Sequence, residues 1–147
     1  MKIVICGSIT ASRDLIKVAE ELESLGVKVV LPYSTKKIMD GEIVLEEYRL
    51  IKEKQGDSFF REQGEEDFIK RYFREISNSD AILVVNVDKK GVKNYIGGNA
   101  LMEMGFAYVL NKKIYLLNDI PDVSYKDEIV AVKPIVLSGN LSKIIEK

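Results

Sequence analysis

Histidine and tryptophan are absent from this 147-residue chain, and cysteine occurs once, as Cys6. The missing imidazole excludes every mechanism that needs a histidine base or relay, Ser-His-Asp and Cys-His nucleophiles among them. A single cysteine excludes a disulfide framework within the chain and the ordinary zinc patterns, so no metal site is expected and a reducing cytoplasm fits best. Neither charge is in excess: 22 basic against 23 acidic residues leave a net −1, which offers no bulk attraction to nucleic acid or an anionic membrane. No apolar run approaches the ~20 residues that span a bilayer, and no basic segment leads into a long apolar one. The expectation is a soluble, unexported protein with neither nucleic acid nor membrane as partner. Catalysis in such a chain must use carboxylates, phenols, lysines or backbone amides.

What is present alternates. Lys2–Cys6 is a short β-branched run closed by Gly7 and Ser8, the pattern of a buried parallel strand ending in a tight loop. Leu15, Ile16, Ala19, Leu22 and Leu25 then recur at helical spacing, with Ser12 as the expected N-cap and Gly26 as the stop. Val27–Pro32 supplies a second strand, so strand, helix and strand follow within about thirty residues, as in a right-handed βαβ unit. Residues 33–80 interrupt the alternation. A charged stretch broken by Gly41, Gly56 and Gly64 holds a weaker helical pattern at Glu42–Lys54 and a clearer one at Glu65–Ile76, striped by Phe68, Ile69, Tyr72, Phe73 and Ile76. Residues 40–66 read as a charged helical insertion, a lid or a dimer contact.

Beyond it, Ala81–Asn86 is a continuous apolar run suited to a central strand. A loop, Val87–Gly98, leads into a helix at Asn99–Leu110 with Asn99 as its cap. A strand at Lys113–Leu117, a helical turn at Ser124–Val130, a short strand at Ile135–Leu137 and a last helix at Leu141–Glu146 complete the chain. This predicts a single α/β domain around a doubly wound, parallel, five-stranded sheet in the flavodoxin-like, Rossmann-like order 2-1-3-4-5. In such sheets ligands lie at the carboxyl ends of the strands where the winding reverses, here between the first and third. The loops at that point are Gly7–Thr10 and Asn94–Asn99.

One residue in that neighbourhood needs an explanation. The helix Asn99–Leu110 is apolar on nearly every side, and Glu103 is its only charged residue. An all-round apolar helix is buried, and a carboxylate there costs free energy unless it is paired, hydrogen-bonded or open to a cleft. Glu103 lies one turn in and projects back toward the helix start, on the face of Asn99 and Ala100, toward the loops just named. The bland alternative is that it complements the helix N-terminus and pairs with a lysine. Gly97 and Gly98 serve either as a simple turn or as a close approach for a ligand to exposed N–H groups. Gly7, Ser8 and Ile9 occupy the equivalent place after the first strand, without the lysine or spacing of a phosphate-binding loop. Cys6 reads as core, since no basic partner is evident to activate it. Asp88 is a solvated charge or a second carboxylate; Tyr33, Tyr72 and Tyr95 could bring phenols to a cleft, although Tyr72 at helical spacing also suits the core.

Three segments carry a family resemblance: Ile5-Cys6-Gly7-Ser8-Ile9, the run Ser79–Val85, and Gly98–Tyr108 with Asn111–Leu117. Together they resemble the nucleoside 2-deoxyribosyltransferase superfamily, which includes the 2-deoxynucleoside 5-phosphate N-hydrolases; the likeness covers nearly the whole chain outside 40–66. It implies that Glu103 is a glycosyl nucleophile, that the substrate is a small nucleoside or nucleoside 5'-monophosphate, that no cofactor is needed, and that the chain forms a homodimer or higher homo-oligomer. The switch-point loops supply the expected neighbours of a bound substrate: Gly7, Ser8, Ile9, Tyr95, Gly97, Gly98 and Asn99. Three family positions differ: Val4 stands where the hydrolases have a tyrosine, Tyr72 where they have an aspartate, and the aspartate that many transferases place in the loop before the glutamate has no match among Tyr95, Ile96 and Gly97. The acid that protonates the departing base is left to Asp88, Tyr72 or Tyr95, or to a partner chain. The alternative to an enzyme is a nucleotide-binding module of the same fold without turnover. A flavin-binding flavodoxin relative is disfavoured by the missing tryptophan and the lack of a Ser/Thr-rich phosphate loop.

Overall fold

The computed structural model of the chain describes residues 1–55 and 67–146. Five parallel strands form one sheet, β1 (Lys2–Cys6), β2 (Lys28–Val30), β3 (Ala81–Val84), β4 (Lys113–Leu116) and β5 (Ile135–Val136), in the order β2-β1-β3-β4-β5. Helices cover both faces, which is the flavodoxin-like, Rossmann-like doubly wound architecture in a single domain. The helices are α1 (Ser12–Ser24), α2 (Tyr33–Met39), α3 (Leu45–Gln55), α4 (Phe68–Ser77), α5 (Gly98–Val109) and α6 (Lys126–Ala131), with 3-10 turns at Ile9–Ala11 and Leu141–Ile144.

Alternation along the strands sorts the core into two layers. Ile3 and Ile5 of β1 join Ala81 and Leu83 of β3 against α1 and the C-terminal turn, through Leu15, Leu22, Leu141 and Ile144. Val4 and Cys6 join Ile82 and Val84 against α4, α5 and α6, through Ile76, Met104, Ala107 and Ile129. β3 is buried at every residue, so its uninterrupted apolar run is what a strand covered on both faces requires. Two glycines are fixed by space and by backbone. Gly26, at φ +82°, ends α1 in a conformation that a side chain disfavours. At Gly7 a Cβ would stand 3.0 Å from a Leu15 methyl carbon and 3.4 Å from the Val85 carbonyl oxygen, so a bare backbone lets the first loop pass beneath α1.

Several local expectations shift. Ser12 is the first residue of α1 and not its cap; its hydroxyl donates to the Ile9 carbonyl at 2.5 Å and is bonded to Thr35 at 3.0 Å, wholly buried. The preceding 3-10 turn has already used the start signal. Asn99 likewise lies inside α5, whose N-cap is Gly97 with no side-chain cap. The weaker helix begins at Leu45 and the clearer one at Phe68, where Asp67 accepts the N–H groups of Ile69 and Lys70 at 3.1 Å each. Helix α2 was not foreseen; its buried Thr35 contributes a polar contact to the core and no apolar stripe. The last helix is only a 3-10 turn. Of the insertion at 40–66, residues 56–66, with Gly56 and Gly64, lie outside the described residues. Among the described residues no helix is long and apolar enough to cross a membrane.

Candidate functional site

Parallel strands send all their C-terminal ends to one edge, and the winding reverses between β1 and β3. Over that point opens a cleft of about 1450 Å³, large enough for a drug-sized or nucleotide-sized ligand. Every residue that the sequence assigned to the site lines it. Gly7, Ser8 and Ile9 come from the loop after β1, Tyr72 from α4, Asp88, Tyr95 and Gly97 from the β3–α5 loop, and Gly98, Asn99 and Glu103 from the first turns of α5.

Glu103 occupies the floor. Its Oε2 is buried and accepts no hydrogen bond, and neither described salt bridge involves it. The pairing with a lysine that would make it a plain structural charge is therefore not made among the described residues. Burial pushes its pKa up from 4.5 to about 7, while a hydrogen bond from the Cys6 thiol pulls the other way. The uncapped start of α5 favours negative charge, yet desolvation outweighs it: a bare carboxylate facing little water is the costlier state. Cys6 is fully buried at the end of β1, and burial, followed by the Glu103 charge, holds its thiol well above the usual range. It is therefore a protonated donor and not a nucleophile.

The other predicted groups are less free. The Tyr72 hydroxyl donates to the Ile5 carbonyl; burial, then the nearby Cys6, Glu103 and Glu75, hold its phenol well above its ordinary value. It pins α4 to β1 beside Glu103 and keeps its proton. Asp88 is exposed, and one of its carboxylate oxygens accepts the Asn94 N–H at 2.9 Å, closing the loop. Tyr95 folds over Gly97, where a Cβ would meet the ring at 3.3 Å, and hydrogen-bonds Tyr125, whose own hydroxyl donates to the Ile96 carbonyl.

Sequence reasoning missed Lys89. The β3–α5 loop turns through Lys90 and Gly91, both at positive φ, with Lys89 bridged to Val92. That turn brings Lys89 back over the first loop, where its ammonium donates to Ser8 Oγ at 2.8 Å and lies 5.6 Å from the Tyr95 ring centroid. Ser8 Oγ is in turn 2.9 Å from Thr10 Oγ1. One ammonium, two hydroxyls and the open start of α5 thus converge on one side of the cleft. The only available signal was a lysine directly after the third strand, at the switch point. Asn86 was missed too. Wholly buried, it bonds Asn118 in both directions, with contacts of 2.9 to 3.1 Å, and donates to the Asp119 carbonyl at 3.0 Å. It locks the ends of β3 and β4 together beneath the site. On the opposite wall, Tyr33 carries Lys37 and Arg71 at 4.5 and 4.3 Å from its ring centroid. Among the described residues no group of three possible ligands could hold a metal.

The raised Glu103 pKa makes a stability prediction. The unfolded chain loses this proton near 4.5 and the native chain near 7, so native stability falls as pH rises from 4.5 and the loss is complete above 7. Glu103→Gln should therefore match the wild type in urea unfolding at pH 5 and exceed it at pH 8 by roughly 2–3 kcal/mol. Equal differences at both pH values would show that the carboxylate is not desolvated.

No protein-family model matches the chain, and no curated protein or solved structure matches it significantly.

Proposed function

We propose that the protein cleaves or exchanges the N-glycosidic bond of a nucleoside 5'-monophosphate, as a divergent relative of the nucleoside 2-deoxyribosyltransferases, with Glu103 as nucleophile. The single observation that carries this is the buried, unpartnered Oε2 of Glu103 at the floor of the switch-point cleft. A structural carboxylate would be expected to satisfy both oxygens; this one keeps an oxygen in reserve, in a place where a sugar would lie.

In the reaction, Glu103 Oε2 attacks the anomeric carbon. The carbon–nitrogen bond breaks, its electron pair leaves with the base, and the base gains a proton. Water or a second base then displaces the sugar from the glutamyl ester and returns the carboxylate. Two successive displacements at one carbon retain the stereochemistry. No histidine is needed at any step. Of the three acid candidates in the chain, Tyr72 has given its hydrogen to Ile5, Asp88 secures its own loop and Tyr95 is bonded to Tyr125.

The phosphate is read from Lys89, Ser8 and Thr10 together with the uncapped first turn of α5. An ammonium and hydroxyl donors beside the N–H groups of a helix start suit a dianion. A binding module without turnover is the second reading, favoured by one specific point: all three acid candidates already have partners. We also propose that the missing acid comes from a second copy docked on α4 and α5, where Ile69, Phe73, Tyr108 and Val109 are exposed and Ile69 lines the cleft.

Incubation with pooled ribo- and deoxyribonucleoside 5'-monophosphates should release free base. Glu103→Gln should reduce the rate by roughly 10³-fold or more, and the wild-type kcat/KM should rise with pH through about 7, as the carboxylate forms. Base release unaffected by Glu103→Gln would remove the assignment; saturable nucleotide binding without turnover would establish the second reading. Lys89→Met should raise KM for a monophosphate by about 10–100-fold, the loss of one charge-assisted hydrogen bond, and leave the unphosphorylated nucleoside unchanged. Equal loss on both substrates would place Lys89 elsewhere in the mechanism. Sedimentation at micromolar concentration should give a dimer, and a monomer under conditions of full activity would exclude a shared site.

A further inference from the structure

Arg49 has no part in the reaction as written, although it lines the same cleft as Glu103. It belongs to α3, within the charged stretch that the sequence offers as a lid or a dimer contact. Leu45 and Tyr48 of that helix are buried, and Arg49 follows Leu45 by one helical turn, so the face that docks α3 also carries the arginine toward the first loop. Glu46, on the same helix, meets the Arg13 guanidinium of α1 at 2.8 Å. Held in this way, Arg49 donates from Nη2 to the Thr10 carbonyl at 2.9 Å.

Thr10 sits on the loop that Lys89 also reaches. The Lys89 ammonium donates to Ser8 Oγ at 2.8 Å, and Ser8 Oγ lies 2.9 Å from Thr10 Oγ1, so an ammonium and a guanidinium from two separate segments are fastened to one short loop. The described partner of Arg49 is a neutral oxygen. Asp14 and Glu53 line the same cleft, yet the salt bridges among the described residues are Lys2–Glu75 and Arg13–Glu46. A carbonyl engages one N–H of a guanidinium that has five and cancels none of its charge. The planar fork that remains is the shape that meets two oxygens of a phosphate. Size points the same way: at about 1450 Å³ the cleft exceeds the ~300–1,000 Å³ of common small-ligand sites, and a ligand held only by Lys89 and the start of α5 would leave the α3 side unused.

We infer that Arg49 is a specificity-determining residue of the site: with Lys89 it holds the phosphate of a phosphate monoester between a guanidinium and an ammonium. This rests on the phosphorylated-substrate reading above and extends it, because the charged insertion then supplies one of the two cations that tell a nucleotide from its nucleoside. Arginine adds paired, directional bonds where lysine acts as a point charge, so the two together fix the orientation of the phosphate as well as its charge. A merely structural Arg49 would tie α3 to the first loop and treat both ligands alike.

The test is binding, which needs no turnover. Full-length Glu103→Gln protein is dialysed to equilibrium against pooled ribo- and deoxyribonucleoside 5'-monophosphates and, separately, against the matching nucleosides, with retained ligand measured by chromatography. Adding Arg49→Gln, which keeps an amide donor for the Thr10 carbonyl and removes the charge, should weaken retention of the monophosphates by roughly 10–100-fold and leave that of the nucleosides nearly unchanged. Arg49→Lys, which keeps the charge and loses the fork, should lose less. Equal losses on both sets of ligands, or undiminished retention of the monophosphates, would overturn the inference. Failure of the parent reading looks different. If Lys89→Met loses the monophosphates while Arg49→Gln keeps them, the phosphate site stands without Arg49. If the parent protein retains monophosphates no better than nucleosides, the phosphate site falls and Arg49 with it. Arg49-dependent retention in a protein whose wild type releases no base would keep Arg49 and discard the glycosidase.

Discussion

The pairing of β1 with β3 is the constraint on which the remaining geometry depends. These strands are neighbours in the sheet and far apart in the chain, with Ile3 opposite Ala81 and Cys6 opposite Val84. Because they run parallel, the loop after Cys6 and the loop after β3 must leave the sheet side by side. No local preference of either loop could create the cleft between them. The register also decides which residues meet there: a slip by one position would turn Cys6 to the α1 side and bury Ile5 against α5.

Around that pair, the molecule separates parts that bear load from parts that are exposed to a ligand. Gly7 passes under Leu15 with no room for a side chain, and the reciprocal Asn86–Asn118 bonds clamp the neighbouring strand ends. Tyr72 ties α4 to the β1 carbonyl beside the carboxylate. These contacts hold backbone and leave little freedom under the cleft. Above them, Ser8, Lys89 and the first turn of α5 present donors whose partners can be exchanged. Rigidity below and open donors above are what a site needs if a group as costly as a desolvated carboxylate is to keep one orientation.

The fold was legible because its signals are period and punctuation. A continuous apolar run at 81–86, helical spacing from Leu15 to Leu25 and a glycine stop at Gly26 depend on neighbours in the sequence, and tertiary packing reinforces them. Glu103 was legible for a related reason: a charge in an apolar helix is a violation visible without coordinates. The caps were less so. Ser12 and Asn99 have the right chemistry for N-caps, but a 3-10 turn precedes the first, and Gly97 begins the second helix two residues early. Lys89 offered only its place beyond the third strand to read. Its place over Ser8, 81 residues away, depends on a turn at Lys90 and Gly91 and on a strand pairing, and neither leaves a mark on the lysine. The thiol contact to Glu103 was hidden likewise, since Cys6 alone has the pattern of any buried cysteine.

The absence of histidine acquires a different meaning once Glu103 is placed. Histidine is the side chain whose ordinary range lies nearest neutrality, and this chain has none, while burial brings one glutamate to about 7. Proton traffic near neutral pH is thus stripped of its usual background. Calorimetry of ligand binding in buffers of unequal ionisation enthalpy would count protons taken up or released, and with an unphosphorylated ligand, free of the phosphate's own ionisation at about pH 6, the count would refer chiefly to a single carboxyl group. Few proteins allow such stoichiometry without isotopic labels, because a histidine elsewhere ordinarily contributes to the sum.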